Sequence, residues 1–599
     1  MVSRRNFFTI MILLAVMVFM FMFVSVIKQQ FNKFDLNENG MDRSDGEKLL
    51  ENYENLQEAL QSVEAVPETV IYLTGESESP VDRVVESWGE YTKQAVQTRT
   101  TLSGLSRWKN KLPKTVIVNG EGLSLEQEAD ILMEFAQKGV CVIFATLPEP
   151  KVIENSDTLL KLMGITNVYS DSVWLDSMHL FPGFLIGSEA IYEGESGGRS
   201  REDKEFQVPW YMVGEGTKTY MMGVIDDSTL KNQFMPTILW RNSVGEGNVF
   251  CINGEFMHHD FGVGLLTACL AQAESYYVYP VVNAQNLVLA KYSGFSEENS
   301  GVLRELYNQS QISFFRDTVW PTVTAMNEST AAKVSLMAAP QTEYRAGKSP
   351  QEGMLVYYLR LLKEGGGEAG ITTWRLSGIS LEEKLEQDKS YWNREADNYE
   401  IRSAFLEDTE EIGAIREKLP DVRTVVSISD SGMPIEYLDE NLTVQRATNQ
   451  GVEYEFLDDF ANKSYETALG YSCIVLDMTL AAYPDPAMEW NVYAKKVTSN
   501  LSTHWKAYRG FDQTTVSESD SRIRRFFALD FSSVREGDTV RLHVDGLVDR
   551  AYFVLKLHGE YPAETTEVPF EDLGNGFYLL EITSPDSRIE LERDQRFIK

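Results

Sequence analysis

The feature that most constrains the fold is an alternation of short apolar runs with amphipathic helices. The first candidate strands are Val70–Leu73, Thr115–Val118 and Val140–Phe144. The helix before the third strand begins at a capping box, Ser124 to Gln127, and ends at Gly139. Strand, helix and strand joined by short connections predict a parallel sheet covered by helices.

A further strand, Val249–Ile252, and a helix over Val263–Ala273 complete this domain, which we place at residues 67–280. Its layout resembles that of flavodoxin-like proteins and class I glutamine amidotransferases, but the reactive Gly-x-Cys-x-Gly elbow is absent. Cys141 lies inside a predicted strand, so no catalytic thiol is expected. For the polar segment Asn253–Asp260, a turn and helix cap is favoured over a metal site, because adjacent histidines lack ligand spacing.

A second alternation predicts a β/α barrel at residues 281–510. Helical spacing is clear over Glu352–Lys363 and Pro486–Trp505. The candidate strands are Asn286–Tyr292, Lys333–Ala339, Ala369–Trp374, Thr424–Ser429 and Ser472–Asp477.

Two segments of this region, Tyr279–Leu289 and Ser313–Pro321, carry a family resemblance. They resemble the start of the deacetylase-like barrel in a family of bacterial membrane-anchored proteins associated with Pel-type exopolysaccharide clusters. The resemblance spans roughly residues 66–510. It implies a barrel in which an Asp-Asp pair after the first strand and a His-x-x-x-His motif hold a divalent metal that activates water.

The sequence departs from that pattern at both motifs. Ala290 and Lys291 stand where the acidic pair is expected, and Gly365–Arg375 contains no histidine. His504 is the only histidine between residues 281 and 510, too few for the two imidazoles. We therefore expect a degenerate barrel with no metal and no cofactor.

Polar and aromatic residues remain at predicted strand ends. Asp430 and Asp477 are candidates for a metal-free glycoside hydrolase, in which two carboxylates flank the scissile bond. Trp374, Glu436 and Trp490, on the following helix, are candidate glycan contacts. The competing interpretation is that each Asp is a helix cap or turn residue.

The amino-terminal segment contains a 21-residue apolar run from Phe7 to Ile27, preceded by Arg4 and Arg5. Its length matches the hydrocarbon thickness of a bilayer, about 30 Å, and no small-x-small cleavage site follows. The expectation is an N-terminal tail and an uncleaved signal-anchor transmembrane helix within residues 1–34, a stalk at 35–66, and a single-pass membrane protein whose remaining mass is extracytoplasmic.

The last domain is placed at residues 511–599, and from about Arg524 its helical pattern gives way to strict alternation, as in Val540, Leu542 and Val544. Turn signals at Gly537-Asp538 and Asp545-Gly546 predict a small antiparallel β-sandwich. Carbohydrate-binding modules share this form with purely structural domains, so fold alone does not assign a role.

Charge and cysteine content limit the remaining function classes. The formal net charge of −35 opposes binding to nucleic acid and favours cationic partners, although it also serves ordinary solubility. The four cysteines, in apolar contexts, are expected to be buried thiols, with one disulfide involving Cys251 left open.

Together these features predict a membrane-tethered component of exopolysaccharide assembly or modification that binds glycan or scaffolds neighbouring machinery. Its expected partners are a cationic polysaccharide and exopolysaccharide synthesis or export proteins. A metal-free hydrolase and a protein-only adaptor or sensor are the alternatives.

Overall fold

The computed structural model describes most of the chain, with gaps. The described residues are 11–18, 43–61, 70–103, 112–125, 128–193, 206–225, 234–345, 348–376, 378–428, 432–439, 441–452, 456–485, 488–507 and 510–593.

The first unit is built on a sheet of nine strands among these residues, in the order β2-β1-β3-β4-β11-β10-β9-β6-β7. Five neighbouring strands (β2, β1, β3, β4 and β11) are parallel, and the other four add on in antiparallel pairing. A separate ribbon pairs β5 with β8. The strands are β1 (Val70–Leu73), β2 (Val96–Arg99), β3 (Thr115–Asn119), β4 (Cys141–Thr146), β5 (Ile165–Trp174), β6 (Ser177–Leu180), β7 (Ala190–Glu193), β8 (Gln207–Val213), β9 (Lys218–Val224), β10 (Thr237–Val244) and β11 (Gly247–Ile252).

Helices cover this sheet because their apolar faces are buried against it. After α1 (Arg43–Gln61) come α2 (Pro80–Thr92), α3 (Glu128–Gln137), α4 (Pro150–Glu154), α5 (Asp157–Met163), a 3₁₀ turn at Phe256–His258 and α6 (Gly262–Ala273). The helix α2 begins at a complete capping box between Ser79 and Asp82.

The second unit is a curled sheet whose central strands run parallel. Its strands are β13 (Ala284–Tyr292), β14 (Val334–Ala338), β15 (Glu368–Thr372), β16 (Ser403–Leu406), β17 (Thr424–Ser427), β18 (Ile435–Asp439), β19 (Leu442–Arg446), β20 (Tyr471–Asp477) and β21 (Gln513–Thr514). Its helices are α7 (Ser300–Tyr307), α8 (Gln311–Phe314), a π-turn at Phe315–Val319, α9 (Trp320–Thr330), α10 (Met354–Glu364), α11 (Leu381–Glu395), a 3₁₀ turn at Thr409–Glu411, α12 (Ile412–Lys418), α13 (Phe456–Leu469), α14 (Thr479–Ala482), α15 (Trp490–Ala507) and α16 (Val516–Ala528).

This sheet curls back on itself into a barrel-like ring. β13 pairs in parallel with both β14 and β20. At the other end, Asn449, just beyond β19, forms a parallel bridge to Ile474 in β20. Successive residues along each strand belong to two different apolar clusters, because their side chains point to opposite faces of the sheet. One cluster contains Val288, Phe405 and Val475. The other contains Leu289, Leu406 and Leu476 together with residues of the surrounding helices.

The amino-terminal end of the ring is closed by the start of α16. The backbone N–H of Ser517 donates to Glu368 (3.0 Å), and that of Val516 donates to Ser335 Oγ (3.0 Å). Both acceptors are buried. The first turn of this helix is therefore capped by side chains from the strands, which leaves the carboxyl end of the ring as the accessible one.

The third unit consists of two four-stranded antiparallel sheets, ordered β12-β24-β27-β26 and β22-β23-β28-β25. The strands are β12 (Tyr276–Val281), β22 (Asp530–Glu536), β23 (Thr539–Asp545), β24 (Ala551–Leu557), β25 (Glu560–Pro562), β26 (Phe570–Gly574), β27 (Phe577–Ile582) and β28 (Asp586–Arg593). Val540, Leu542, Phe553 and Leu580 share one core between the sheets. Since β12 precedes the ring in the chain, the connection through it ties the third unit to the other two.

The helix α1, in the segment expected to form a stalk, packs on the body of the protein. The Tyr53 ring stacks on Tyr437 at 4.7 Å, and its hydroxyl donates to Glu90 (2.8 Å). Residues 62–69 lie outside the described residues.

The mixed α/β class is confirmed, but the predicted transmembrane helix is wrong. Of the run from Phe7 to Ile27, the structure describes residues 11–18, which are helical. Residues 7–10 and 19–27 lie outside the described part. No helix in the described ranges is both long enough and apolar enough to cross a membrane. This finding corrects the fold class and the predicted single-pass membrane localisation. The five domain ranges remain predictions.

Candidate functional site

Lys291 lies at the carboxyl end of β13, where the family resemblance expects an acidic residue. The pairing of β13 with β14 is irregular between Leu289 and Tyr292, and Lys291 has a left-handed backbone (φ 58°). Its ammonium lies 6.0 Å from the centre of the Phe405 ring, and Phe405 shares its apolar cluster with Val288. The ammonium at the end of β13 therefore lies near β16, at the open end of the ring.

Two carboxylates flank this ammonium. Lys291 Nζ lies 3.0 Å from Glu407, the residue after β16, and 3.0 Å from Asp477, the last residue of β20. The carboxyl ends of parallel strands meet at one edge of a sheet, so three strands that are distant in sequence converge on one group. We call Lys291, Glu407 and Asp477 the ring triad.

The members of the ring triad differ in exposure. The lysine side chain is 13% exposed, whereas those of Glu407 and Asp477 are 35% and 39% exposed. A ligand that enters from solvent thus meets the carboxylates first.

The charge state of Lys291 follows from these neighbours. Burial lowers its pKa, but the negative charges of Asp477 and Glu407 and their hydrogen bonds outweigh burial and raise the pKa above 10.5. The amine is therefore protonated at neutral pH and is not available as a nucleophile. One cation faces two anions, so the ring triad carries a net charge of −1.

The triad does not fit the divalent metal that the resemblance implies. Ala290 brings no ligand atom, and an ammonium lies within hydrogen-bond distance of both carboxylates, where it would repel a metal ion. The described part of the chain contains no group of three or more His, Cys, Asp or Glu side chains arranged to hold a metal ion. His504 is on α15, and its side chain lies outside the described ones.

The other predicted acidic residues are placed differently. Asp430 lies outside the described residues. Glu436, on the antiparallel strand β18, pairs with Arg446 (2.8 Å) and accepts a hydrogen bond from the Met433 N–H (3.1 Å). The structure therefore brings Asp477, but not Glu436, into contact with Lys291.

The two predicted aromatic contacts are buried. Trp490 is 3% exposed and packs edge-on against Phe314 in the core outside the ring. Trp374 is 7% exposed and packs edge-on against Tyr483. Neither tryptophan presents an open face for a sugar ring to stack on.

A network of hydrogen bonds among Tyr483, Thr342 and Glu298 lies next to Trp374. The Tyr483 hydroxyl is 2.8 Å from Thr342 Oγ1, and the Thr342 hydroxyl donates to Glu298 (2.6 Å). The backbone N–H groups of Thr342 and Glu343 donate to the same carboxylate, each at 2.9 Å. Glu298 thus fixes the start of the loop that follows β14.

The polar segment of the first unit forms a turn. Phe256–His258 is a 3₁₀ helix, and His258 Nε2 lies 3.1 Å from Glu121. Asp260 pairs with Arg83 and accepts from the backbone N–H of Gly432 (3.2 Å), which belongs to the second unit. The four cysteines are buried free thiols.

Sequence reasoning missed Glu407 because it missed β16. That strand has only four residues, Ser403–Leu406, and it follows a polar stretch. The available signal in the sequence was the short apolar run Ala404–Leu406 immediately before the acidic pair Glu407-Asp408. Lys291 was noted only as a departure from the expected pair.

Comparisons with known proteins add little to this geometry. No family model and no curated protein matches the chain. Among solved structures, a β-galactosidase from Bacillus circulans sp. alkalophilus is 13% identical over 36% of this chain and 34% of its own, with a TM-score of 0.24. An exo-β-1,4-mannosidase from an Opitutaceae bacterium is 12% identical over 34% and 33%, with a TM-score of 0.22. A putative ThuA-like protein from Bacteroides uniformis is 14% identical over 36% and 94%, with a TM-score of 0.23. The chain thus matches about a third of the length of each of the two glycosidases, and likenesses this low assign no function.

Proposed function

We propose that the carboxyl end of the ring binds a polysaccharide that contains aminosugars, and that the protein serves exopolysaccharide assembly or modification as a glycan-binding component. The observation that carries the binding proposal is the ring triad: two partly exposed carboxylates around one less exposed ammonium. The exopolysaccharide context is supported by the sequence resemblance alone.

The charge balance indicates the kind of ligand. Lys291 neutralises one of its two anionic neighbours, and the remaining negative charge favours a ligand cation. The ammonium of a deacetylated aminosugar supplies that charge, and carboxylate oxygens also accept hydrogen bonds from sugar hydroxyls. The net charge of −35 would further attract a cationic polymer at low salt.

A hydrolase is the second candidate, because the spacing of the carboxylates favours it. Glu407 and Asp477 each lie 3.0 Å from the same nitrogen, so the bonded oxygens are no more than about 6 Å apart, near the roughly 5 Å spacing of retaining glycosidases. Hydrolysis also needs one carboxyl group that carries a proton to the leaving group. The ammonium between the two favours a pair of anions, so binding is the better supported function.

Titration of the whole chain with glucosamine tetramers tests the proposal. We expect binding that weakens as salt rises and that falls at least tenfold in Asp477→Asn and Glu407→Gln. The matched control is Glu364→Gln, an exposed carboxylate that ends α10 and so lies at the opposite end of the ring. Equal binding by all four proteins, or none by the wild type, would defeat the proposal, and shortening of the tetramer seen by mass spectrometry would establish the hydrolase instead.

A further inference from the structure

A polar cavity of about 610 Å³ lies beside the open end of the ring. One wall is the loop that follows β14, and the other is a face of α11. Its lining includes Tyr344, Arg345, Glu383, Gln387, Tyr391 and Arg394. Its volume lies within the range of pockets that hold small organic ligands.

The cavity is joined to the ring triad through the end of β15. Lys384, on α11, donates to the carbonyl oxygen of Thr372, the last residue of that strand. The next residue, Thr373, accepts a hydrogen bond from the backbone N–H of Glu407 (3.0 Å). These hydrogen bonds link α11, which forms one wall of the cavity, through the end of β15 to the backbone of Glu407.

Buried charges hold the two walls together. Asp388 and Lys384 form an ion pair on α11 with almost no exposure. The Tyr344 hydroxyl, from the opposite wall, donates to Asp388 (2.6 Å). Together with the contacts of Glu298 to Thr342, these bonds fix the spacing of the walls before any ligand arrives.

The lining presents groups suited to hydroxyls rather than to one strong charge. Within the described residues, neither Arg345 nor Glu383 has an ion-pair partner among the salt bridges, and their charges balance. Arg394 and Glu386 are already paired, with Glu395 and Lys418. Guanidinium, amide and carboxylate groups donate to and accept from vicinal hydroxyls, and the partly exposed Tyr344 adds aromatic surface.

We infer that this cavity is a second sugar subsite, which takes a hydroxyl-rich ring adjacent to the unit held by the ring triad. The ligand is then an oligosaccharide of at least two rings, one bound by charge and one bound by hydroxyl contacts. The inference rests on the proposed function, because it requires that the triad binds a sugar.

The test compares glucosamine with its tetramer on the whole chain. The variants are Arg345→Ala and Gln387→Ala, and the control is again Glu364→Gln. The wild type should bind the tetramer at least tenfold more tightly than the monomer. The cavity variants should lose most of that advantage and keep monomer affinity within about twofold, with unchanged circular dichroism spectra.

Two results would overturn the inference in distinguishable ways. If both variants keep the full preference for the tetramer, the cavity is not a subsite, whereas the proposed function stands. If the wild type binds neither sugar, the proposed function itself is wrong, and the subsite falls with it.

Discussion

Replacing Lys291 by methionine would leave two carboxylates facing each other without their shared cation. The substitution removes two attractions at about 3 Å, each about 1.4 kcal/mol in water and about 5.5 kcal/mol at an effective dielectric constant of 20, and burial of the ammonium offsets part of them. Both carboxylates are about one-third exposed, so screening reduces the larger figure, and we expect a loss of about 2 kcal/mol. For a unit of this size, that loss corresponds to a fall in Tm of about 4–8 °C.

Thermal unfolding of the whole chain at pH 7, followed by circular dichroism, measures this effect. Adding Asp477→Asn and Glu407→Gln to Lys291→Met should recover most of the loss. Lys138→Met, which removes a half-exposed surface pair with Glu134, should change Tm by less than about 2 °C. Equal shifts for the two lysine variants, or no recovery in the triple variant, would contradict the assigned charge balance.

Four other outcomes follow from buried groups. Burial raises the pKa of the Glu368 carboxyl above 4.5 despite the hydrogen bonds that it accepts from Ser517 and Ser335. Its contribution to stability is therefore fully present below pH 4.5 and is lost as pH rises through the pKa of the folded state. In urea unfolding, Glu368→Gln should remove that part of the pH dependence. Asp388→Ala should cost about 3–5 kcal/mol in the same assay, because it leaves the Lys384 ammonium buried alone, and the double variant with Lys384→Met should be less destabilised than the single one. Gly264→Ala should destabilise strongly, since the added methyl would overlap the Ser464 carbonyl oxygen where α6 packs on α13; a Tm equal to that of the wild type would refute this contact. The four thiols should resist a thiol reagent until the protein unfolds, because burial raises the pKa of each (Cys473 to about 12), and rapid labelling of the native chain would contradict their burial.

The strands of the central parallel sheets could be predicted because both of their faces are covered. Val70–Leu73 and Thr115–Asn119 are buried at every position, so they stand out as continuous apolar runs. The antiparallel strands β9 and β10 have polar residues within them or at their ends, so the search for apolar runs did not predict them. Nothing in the local pattern indicates that β12 leaves the first unit to pair with β24, since that contact joins segments far apart in sequence.

The candidate site was only partly predictable for a related reason. Asp477 ends a strong apolar run and was identified, whereas Glu407 follows a strand of four residues. The pairing of both with Lys291 depends on the closure of the ring, which brings β13 next to β20. Aromatic content also misled the prediction, because Trp490 has the helical spacing of a core residue and lies in the core.

A structure of the whole chain crystallised with a glucosamine tetramer tests most directly whether the ring triad is the glycan site. We expect a ligand ammonium within about 3 Å of Glu407 or Asp477, the usual length of a charge-assisted hydrogen bond, with the next ring in the cavity at Arg345. A tetramer bound elsewhere, with no sugar atom in contact with either carboxylate, would contradict the assignment.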